Sequence, residues 1–267
     1  MTTLAAYHSQ KELFANLMIR ELRSKYKRSF LGWAWSLVNP LAIMVVYTIV
    51  FKLFLRIKVG PGRPSGLHVF ALWLLCGMLP WNYFQSSVAG CIGSLTGNSN
   101  LIKKTYFPRE LLPAATVGAN IVSHAIEMSL LLVALVSFGN WRALEFLPFT
   151  ILLMLIMAVF ALGFGLLLSS LNVYFRDIEH FMSILFLVWL YMTPIIYPIT
   201  TPGVSRYVTI LKINPMTDAV LCYRDVLYNG THPGWFELAY FAAWAAGMFF
   251  LGRNVFNRLE SGLAEEL

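Results

Sequence analysis

Long apolar stretches, separated by short polar segments, are the dominant pattern along this chain. A helix needs about 20 predominantly apolar residues to cross the hydrocarbon core of a bilayer. Segments of this kind predict six membrane-spanning helices, over Ala34–Leu55, Leu67–Cys91, Leu111–Phe138, Leu147–Ser170, Phe181–Pro198 and Trp235–Leu251. We therefore expect an all-α integral membrane protein in which residues 34–253 form a six-span domain and both termini lie on one side.

The segment before the first span, residues 1–33, has no continuous apolar core, so we expect no cleavable signal peptide and a cytoplasmic N-terminus. Its apolar side chains share one helical face and its basic side chains the other; the apolar ones are Leu13, Phe14, Leu17, Met18 and Leu22. This pattern predicts an amphipathic helix at the cytoplasmic interface, which either anchors the chain or docks a partner. Residues 254–267 are predicted to be a cytoplasmic tail.

Residues 200–234, between the fifth and sixth predicted spans, are only about half apolar. Two apolar stretches within them, Tyr207–Ile213 and Ala219–Tyr228, are too short to cross a bilayer. Two structures fit this pattern equally well. The segment forms either a pair of re-entrant half-helices in the outer leaflet or a surface loop with short helices.

The charge distribution supports a membrane protein and sets its orientation. Only 12% of the residues are charged and 58% are hydrophobic, whereas an average soluble domain is about 25% charged. With the N-terminus inside, the inner segments carry 12 Lys and Arg residues and the outer segments carry 8, which favours that orientation. The net charge of +7 indicates anionic lipid or an anionic substrate rather than nucleic acid, because the basic residues are spread among apolar spans.

Four polar residues recur along the third predicted span. Thr116, Asn120, His124 and Glu127 are spaced by four, four and three residues, so they share one helical face. Ionisable groups at membrane depth normally face other helices or water. The face is either a structural polar seam, with His124 pairing with Glu127, or part of a proton relay or substrate contact.

The segment 97–109, after the second span, is short, basic and aromatic. Its short helix would present Lys103, Lys104, Tyr106 and Phe107 to a partner, or the segment serves only to fix topology by its positive charge.

Aromatic residues crowd the ends of the predicted spans. Most are explained by interfacial belts, although rings lining a pathway would also suit the passage of sugars, since an aromatic face packs on a sugar ring. The candidates are Trp33, Trp35, Trp73, Trp81, Tyr83, Phe84 and Tyr191.

Motifs for catalysis are absent from the sequence. It contains no DxD, HExxH, GxSxG or GxxxxGK[ST] motif, so the chain is not expected to be an enzyme or to bind ATP through a P-loop. Cys76, Cys91 and Cys222 lie in apolar surroundings without metal-ligand spacing, so no metal site is expected.

Five stretches of the chain together resemble one family. They are Arg20–Leu41 (RELRSKYKRSFLGWAWSLVNPL), Leu79–Phe84 (LPWNYF), Asn100–Pro113 (NLIKKTYFPRELLP), Asn172–His180 (NVYFRDIEH) and Ile213–Thr217 (INPMT). In this order they resemble the permease subunits of ABC-2-type polysaccharide exporters. Among the members, the sequence is most similar to the wall teichoic acid translocation permeases.

The resemblance implies a multi-pass protein of the cytoplasmic membrane that works as a homodimer with two copies of a separate ATPase. ATP and Mg would then bind to that partner, and this chain would hold no cofactor. The implied substrate is a polysaccharide linked to a polyprenyl diphosphate lipid, drawn to basic residues such as Arg28, Lys103 and Lys104. The segment between spans five and six is expected to form re-entrant helices.

The resemblance also implies which residues couple the chain to the ATPase. They match the family's N-terminal helix and its loop after the second span, and are Arg20, Arg23, Lys25, Lys27, Arg28, Lys103, Lys104, Tyr106, Phe107 and Arg109. A further coupling or helix-bracing ion pair is expected at Arg176 and Asp177, between spans four and five.

Three other functions stay open at this point. A proton-coupled secondary carrier would use His124 and Glu127, but the sequence has no inverted repeat to support it. A membrane-embedded glycan transferase would need an acidic or metal-binding cluster, which the sequence lacks. An ABC-2 permease for O-antigen, capsule, a drug or a small lipid is the nearest alternative.

Overall fold

Every regular element that the structure describes is a helix. The computed structural model describes residues 2–26, 34–54, 59–105, 107–201 and 203–266, and within these ranges it contains no β-strand. The predicted all-α class is thereby confirmed.

The described part of the chain contains twelve α-helices. In chain order they are α1 (Thr2–Tyr26), α2 (Trp35–Tyr47, continued by a π-helical segment Thr48–Phe54), α3 (Phe70–Ile92), α4 (Ser99–Lys104), α5 (Leu111–Ser137), α6 (Arg142–Glu145), α7 (Leu147–Tyr174), α8 (Ile178–Met192), α9 (Val208–Ile213), α10 (Pro215–Arg224, continued by a π-helical segment Asp225–Asn229), α11 (Trp235–Leu259) and α12 (Leu263–Glu266).

Three of these helices, α5, α7 and α11, are long and apolar enough to cross a membrane. The second predicted span is the helix α3, whose 23 residues are long enough but include more polar and Trp or Tyr side chains. Most of α3 is buried against other helices, so protein rather than lipid is its main surrounding. This burial explains why its sequence is less apolar than that of a lipid-facing span.

Two of the predicted span boundaries are corrected by the structure. The fifth span was expected over Phe181–Pro198, but α8 ends at Met192 because Pro194 and Pro198 follow it. The sixth was expected to end at Leu251, whereas α11 continues for two further turns to Leu259. The chain keeps its helical hydrogen bonds there although Arg253 and Arg258 are charged and exposed.

An aromatic cluster holds α3 in the middle of the bundle. Trp81 and Phe84 are fully buried. The ring of Phe84 stacks on Phe160 of α7 with centroids 5.2 Å apart, and Trp81 meets Trp189 of α8 edge to face at 6.1 Å. Such pairs contribute about 0.5–1.5 kcal/mol beyond the burial of their area, so α3 is fixed to both neighbours.

Glycines allow α7 and α11 to approach backbone to backbone. A Cβ placed on Gly163 would be 2.6 Å from the carbonyl carbon of Met248, and one on Gly252 would overlap the carbonyl oxygen of Gly163. Small residues at such positions let helices in a membrane pack closely. This contact joins the fourth and sixth predicted spans.

The two ends of the bundle are built differently. We call the end that carries α1, α4 and the last turns of α11 the basic end, and the other the opposite end. At the opposite end the Ser65 hydroxyl donates to the carbonyl of Tyr228 (2.6 Å), and the Tyr228 hydroxyl donates to that of Leu67 (2.9 Å). The Asn140 amide donates to the carbonyl of Leu227 (2.8 Å). These bonds hold together the residues that precede α3, those that follow α5 and the π-helical segment that follows α10.

The Gly252→Ala variant is predicted to lower the stability of the protein. Its Cβ overlaps the backbone of α7, and overpacking of this kind costs about 1–3 kcal/mol. The matched control is Gly247→Ala in the same helix, because a Cβ there meets nothing within 4 Å and the loss of glycine in a helix stabilises by about 0.5–1 kcal/mol. Thermal unfolding of the purified variants measures both, and equal melting temperatures would contradict the close contact.

Candidate coupling surface and buried polar seam

The apolar face of α1 packs against the bundle. Leu17 is buried, and Phe14 and Met18 lie over Gly118 of α5, where a Cβ would be within 3.3 Å of both. α1 is a helix, as the periodicity predicts, but its apolar face is covered by protein at these positions. The outward face carries Arg20 and Arg23, both exposed.

A second apolar cluster, which we call the basic-end cluster, lies beneath this helix. Its buried members come from α1, the segment 95–115, α7, α11 and α12, and are Leu17, Leu95, Ile102, Phe107, Leu112, Ala115, Leu166, Val173, Phe256 and Leu263. The cluster joins the amphipathic helix, the predicted coupling segment and the C-terminal residues into one packed body.

Hydrogen bonds connect α1 to the predicted coupling segment. The guanidinium of Arg20 donates to the side-chain oxygen of Asn98 at 2.7 Å, and the Asn98 amide donates to the carbonyl of Ser94 at 2.8 Å. The helix α4 that follows exposes Lys103 and Lys104. These two lysines, with Arg20 and Arg23, form an exposed basic surface, which we call the coupling surface.

The expectation that Phe107 is presented to a partner is wrong. Its side chain is only 8% exposed and belongs to the basic-end cluster. The ring packs beside Ile102 and Leu112 because burial of its apolar surface is favourable compared with exposure to water.

Arg109 is occupied within the chain. Its guanidinium donates to the carbonyl of Glu260, and the hydroxyl of Tyr174 donates to the carbonyl of Leu259 at 3.3 Å. Both bonds hold the end of α11, and Leu263 beyond it is fully buried. Arg109 therefore positions the C-terminal residues against the coupling segment.

The ion pair expected at Arg176 and Asp177 is not formed within the part of the chain that the structure describes. Both side chains are exposed between α7 and α8. Exposed charges gain only about 0–1 kcal/mol by pairing, so little favours holding these two together.

Of the other residues predicted as sites, Lys27, Arg28, Trp33 and Tyr106 lie outside the described residues, as does the side chain of Lys25.

The polar residues of the third predicted span face protein, as their spacing predicts. Thr116, Asn120 and His124 are buried. His124 Nδ1 is 3.9 Å from a carboxylate oxygen of Glu127, whose side chain is 14% exposed. No three His, Cys, Asp or Glu side chains come close enough to hold a metal ion anywhere in the described ranges.

Most of the aromatic residues expected in belts or along a pathway are core residues instead. Trp73, Trp81, Tyr83 and Phe84 are all buried within this chain. They follow one another along α3, and the sequence alone does not indicate that this helix is surrounded by others. Trp35 and Tyr191 differ, because they are 48% and 52% exposed.

Arg224, in the segment 200–234, is a buried charged residue that was not among the predicted sites. Its guanidinium donates to the carbonyls of Pro194 and Ile195, both at 2.6 Å, and lies 3.5 Å from the ring centroid of Trp73. Gly77 of α3 leaves room for it, since a Cβ there would be 3.1 Å from an Arg224 nitrogen. The signal that could have found it is a single arginine that follows the apolar residues Ala219–Tyr223 of a short helix.

Short helices do occupy the segment 200–234, as both interpretations of its pattern require. α9 and α10 cover Val208–Ile213 and Pro215–Arg224. Lys212 of α9 pairs with Glu237 of α11 at 2.9 Å, and this hydrogen bond raises the pKa of Lys212. α10 is largely buried, so it is a component of the bundle rather than a surface loop.

Comparison with known proteins gives consistent matches along the chain. Residues 12–228 match the family model described as ABC-2 type transporter. The chain is 29% identical to the O-antigen export system permease protein RfbA of Myxococcus xanthus over 97% of both chains, and 29% identical to the protein of that name from Klebsiella pneumoniae over 96% of this chain and 95% of the relative. It is 21% identical to the polysialic acid transport protein KpsM of Escherichia coli, over 97% of this chain and 98% of the relative.

Replacing Phe107 by Ala is predicted to destabilise the protein itself. Truncation of a buried phenylalanine costs about 3–5 kcal/mol, whereas Lys103→Ala, an exposed position in the same segment, should stay within about 0.5 kcal/mol. Thermal unfolding in detergent compares the two variants. If Phe107→Ala kept the wild-type melting temperature, its ring would not belong to the basic-end cluster.

Replacing Arg224 by Met is predicted to loosen the opposite end. The carbonyls of Pro194 and Ile195 lose their donor, and each buried group left unpaired costs about 1–3 kcal/mol. Arg206→Met is the matched control, because Arg206 is exposed in the same segment. The melting temperature should fall for Arg224→Met only. A similar fall in both variants would mean that the loss of stability does not come from the buried contacts of Arg224.

Proposed function

The chain belongs to the ABC-2 type transporter family, and we propose that it is the permease subunit of an ATP-driven exporter of a lipid-linked polysaccharide. It is a protein of the cytoplasmic membrane. The observation that carries the proposal is its end-to-end alignment with permeases named for O-antigen export.

The names of the relatives support the substrate class. They are permeases for O-antigen, polysialic acid and capsule polysaccharide. These relatives favour an O-antigen or a capsule polysaccharide over wall teichoic acid, which was the narrower prediction from the sequence. We propose that the sugar polymer crosses through protein, because its hydroxyl groups cannot be satisfied in hydrocarbon, while the lipid part stays in the bilayer.

A separate ATPase subunit is proposed to bind the coupling surface. Lys103, Lys104, Arg20 and Arg23 are exposed at the basic end, and the Arg20–Asn98 hydrogen bond together with the basic-end cluster connects them to α1 and α5. A displacement of α4 would therefore move these helices as one body, which is the way rigid elements transmit a switch. Two ATPase copies would serve two permeases.

Homodimer formation through α2 and α8 is supported by their exposed apolar side chains. Val46 and Leu53 on α2, and Ile184 and Leu187 on α8, are largely uncovered within one chain. Trp35 and Tyr191, the two exposed pathway candidates, lie on these same helices. We propose that the polymer passes between two copies along this face.

The proposed topology has six spans with the basic end in the cytoplasm. Lys and Arg prefer cytoplasmic segments, and the coupling surface lies at that end. At the opposite end, α10 reaches as far as Gly77 in the interior of α3. This depth supports the interpretation of α9 and α10 as re-entrant helices from the outer side.

Charge reversal at the coupling surface tests the proposal. The permease with both Lys103→Glu and Lys104→Glu should bind its ATPase more weakly and lose most polysaccharide display, because exposed like charges repel across an interface. Purified alone, the wild-type chain should hydrolyse no ATP. The measurements are ATP turnover in reconstituted complexes and surface polysaccharide in cells.

Arg206→Glu is the control, since it reverses an exposed charge at the opposite end. Export should continue in this variant. Appreciable ATP turnover by the chain alone, or normal polysaccharide display in cells that lack the permease, would contradict the proposed function.

A further inference from the structure

Several polar atoms between α3 and α5 are buried and make no well-aligned hydrogen bond among the described residues, and their near polar neighbours belong to the same group, Ser87 for Tyr83 and Glu127 for His124. The buried atoms are both ring nitrogens of His124 and the hydroxyl oxygens of Tyr83 and Ser87. The three residues are at most 2% exposed. Buried side-chain polar atoms almost always have a partner in the protein or in ordered water, so a group of them at one contact is an exception that needs an explanation.

The atoms belong to one place in the fold. The rings of Tyr83 and His124 stack with centroids 4.7 Å apart and planes at 19°. Ser87 is one helical turn after Tyr83 on α3, so its side chain points to the same side of that helix. The buried polar atoms therefore converge on the α3–α5 contact.

Glu127 connects this place with the membrane-facing surface. Its carboxylate oxygen is 3.9 Å from His124 Nδ1, which is too long for a direct hydrogen bond and raises the question of a water that contacts both groups. Glu127 also borders an apolar groove of about 250 Å³, otherwise lined by Leu41, Leu75, Leu79, Leu130, Leu131 and Ala134. The groove gives access to the carboxylate from outside the bundle.

We propose that His124, Tyr83, Ser87 and Glu127 form a buried water-binding site in the α3–α5 contact. A neutral imidazole has one donor and one acceptor nitrogen, and the two hydroxyls and the carboxylate supply the remaining donors and acceptors. Ordered water usually makes about three hydrogen bonds to such groups. The bound water ties α3 to α5 through hydrogen bonds that the two helices do not make directly here.

Hydroxyl-radical footprinting of the full-length chain in lipid nanodiscs tests the proposal, because radiolysis of bound water labels the side chains next to it. Tyr83 and His124 should be labelled several-fold faster than Trp81 and Phe84, which are equally buried on α3. In the His124→Phe variant the labelling of Tyr83 should fall to the level of Trp81. Labelling of Tyr83 no faster than that of Trp81 in the wild type would overturn the proposal.

A second measurement, the melting temperature of the Tyr83→Phe variant, distinguishes a hydrated site from a dry one. Tyr83→Phe removes one hydroxyl and adds no volume. If water binds that hydroxyl, the melting temperature should fall by about 2–4 °C, the shift expected for one lost hydrogen bond. The calibrating variant is Tyr228→Phe, whose hydroxyl donates to a backbone carbonyl at 2.9 Å. An unchanged or higher melting temperature for Tyr83→Phe, with a fall for Tyr228→Phe, would mean that the site is dry.

Discussion

Helix α3 is surrounded by other helices of its own chain, and this central position constrains the rest of the bundle. α2, α5, α7, α8 and α10 all contact it, and its aromatic side chains fill the space between them. At its basic end, the Asn172 amide of α7 donates to the carbonyl of Ile92, an acceptor that the helix itself leaves free. Because α3 is fixed on all these sides, the elements around it have defined positions at both ends.

The two ends use that fixed centre differently. At the basic end an apolar cluster joins α1, α4 and the C-terminal residues, so the exposed lysines of α4 are carried by a packed body. At the opposite end, Arg224 is held by two carbonyls and by the ring of Trp73, which places α10 against α3. Under the proposed function, a force applied to α4 would act on helices that continue to the region around α10.

The sequence predicted the helices better than their surroundings. Length and apolarity were enough to place α5, α7 and α11, because a span needs a fixed number of apolar residues. Periodicity likewise placed the polar face of α5 towards protein. The positions of Trp81, Phe84 and Phe107 were not predictable in this way, since an aromatic residue near a span end fits a lipid interface, a partner or a core equally well. Arg224 shows the same limit: the pattern indicates burial but not the carbonyls, 29 and 30 residues earlier, that satisfy it.

The proposed function requires that the coupling surface at the basic end binds an ATPase. A photo-crosslinking amino acid at position 104, in membranes of cells that export the polysaccharide, tests it directly. We expect an adduct with a P-loop ATPase from position 104, and none from position 206 at the opposite end, where the side chain is also exposed. Export that proceeds without any ATPase adduct from position 104, or an ATPase adduct from position 206, would contradict it.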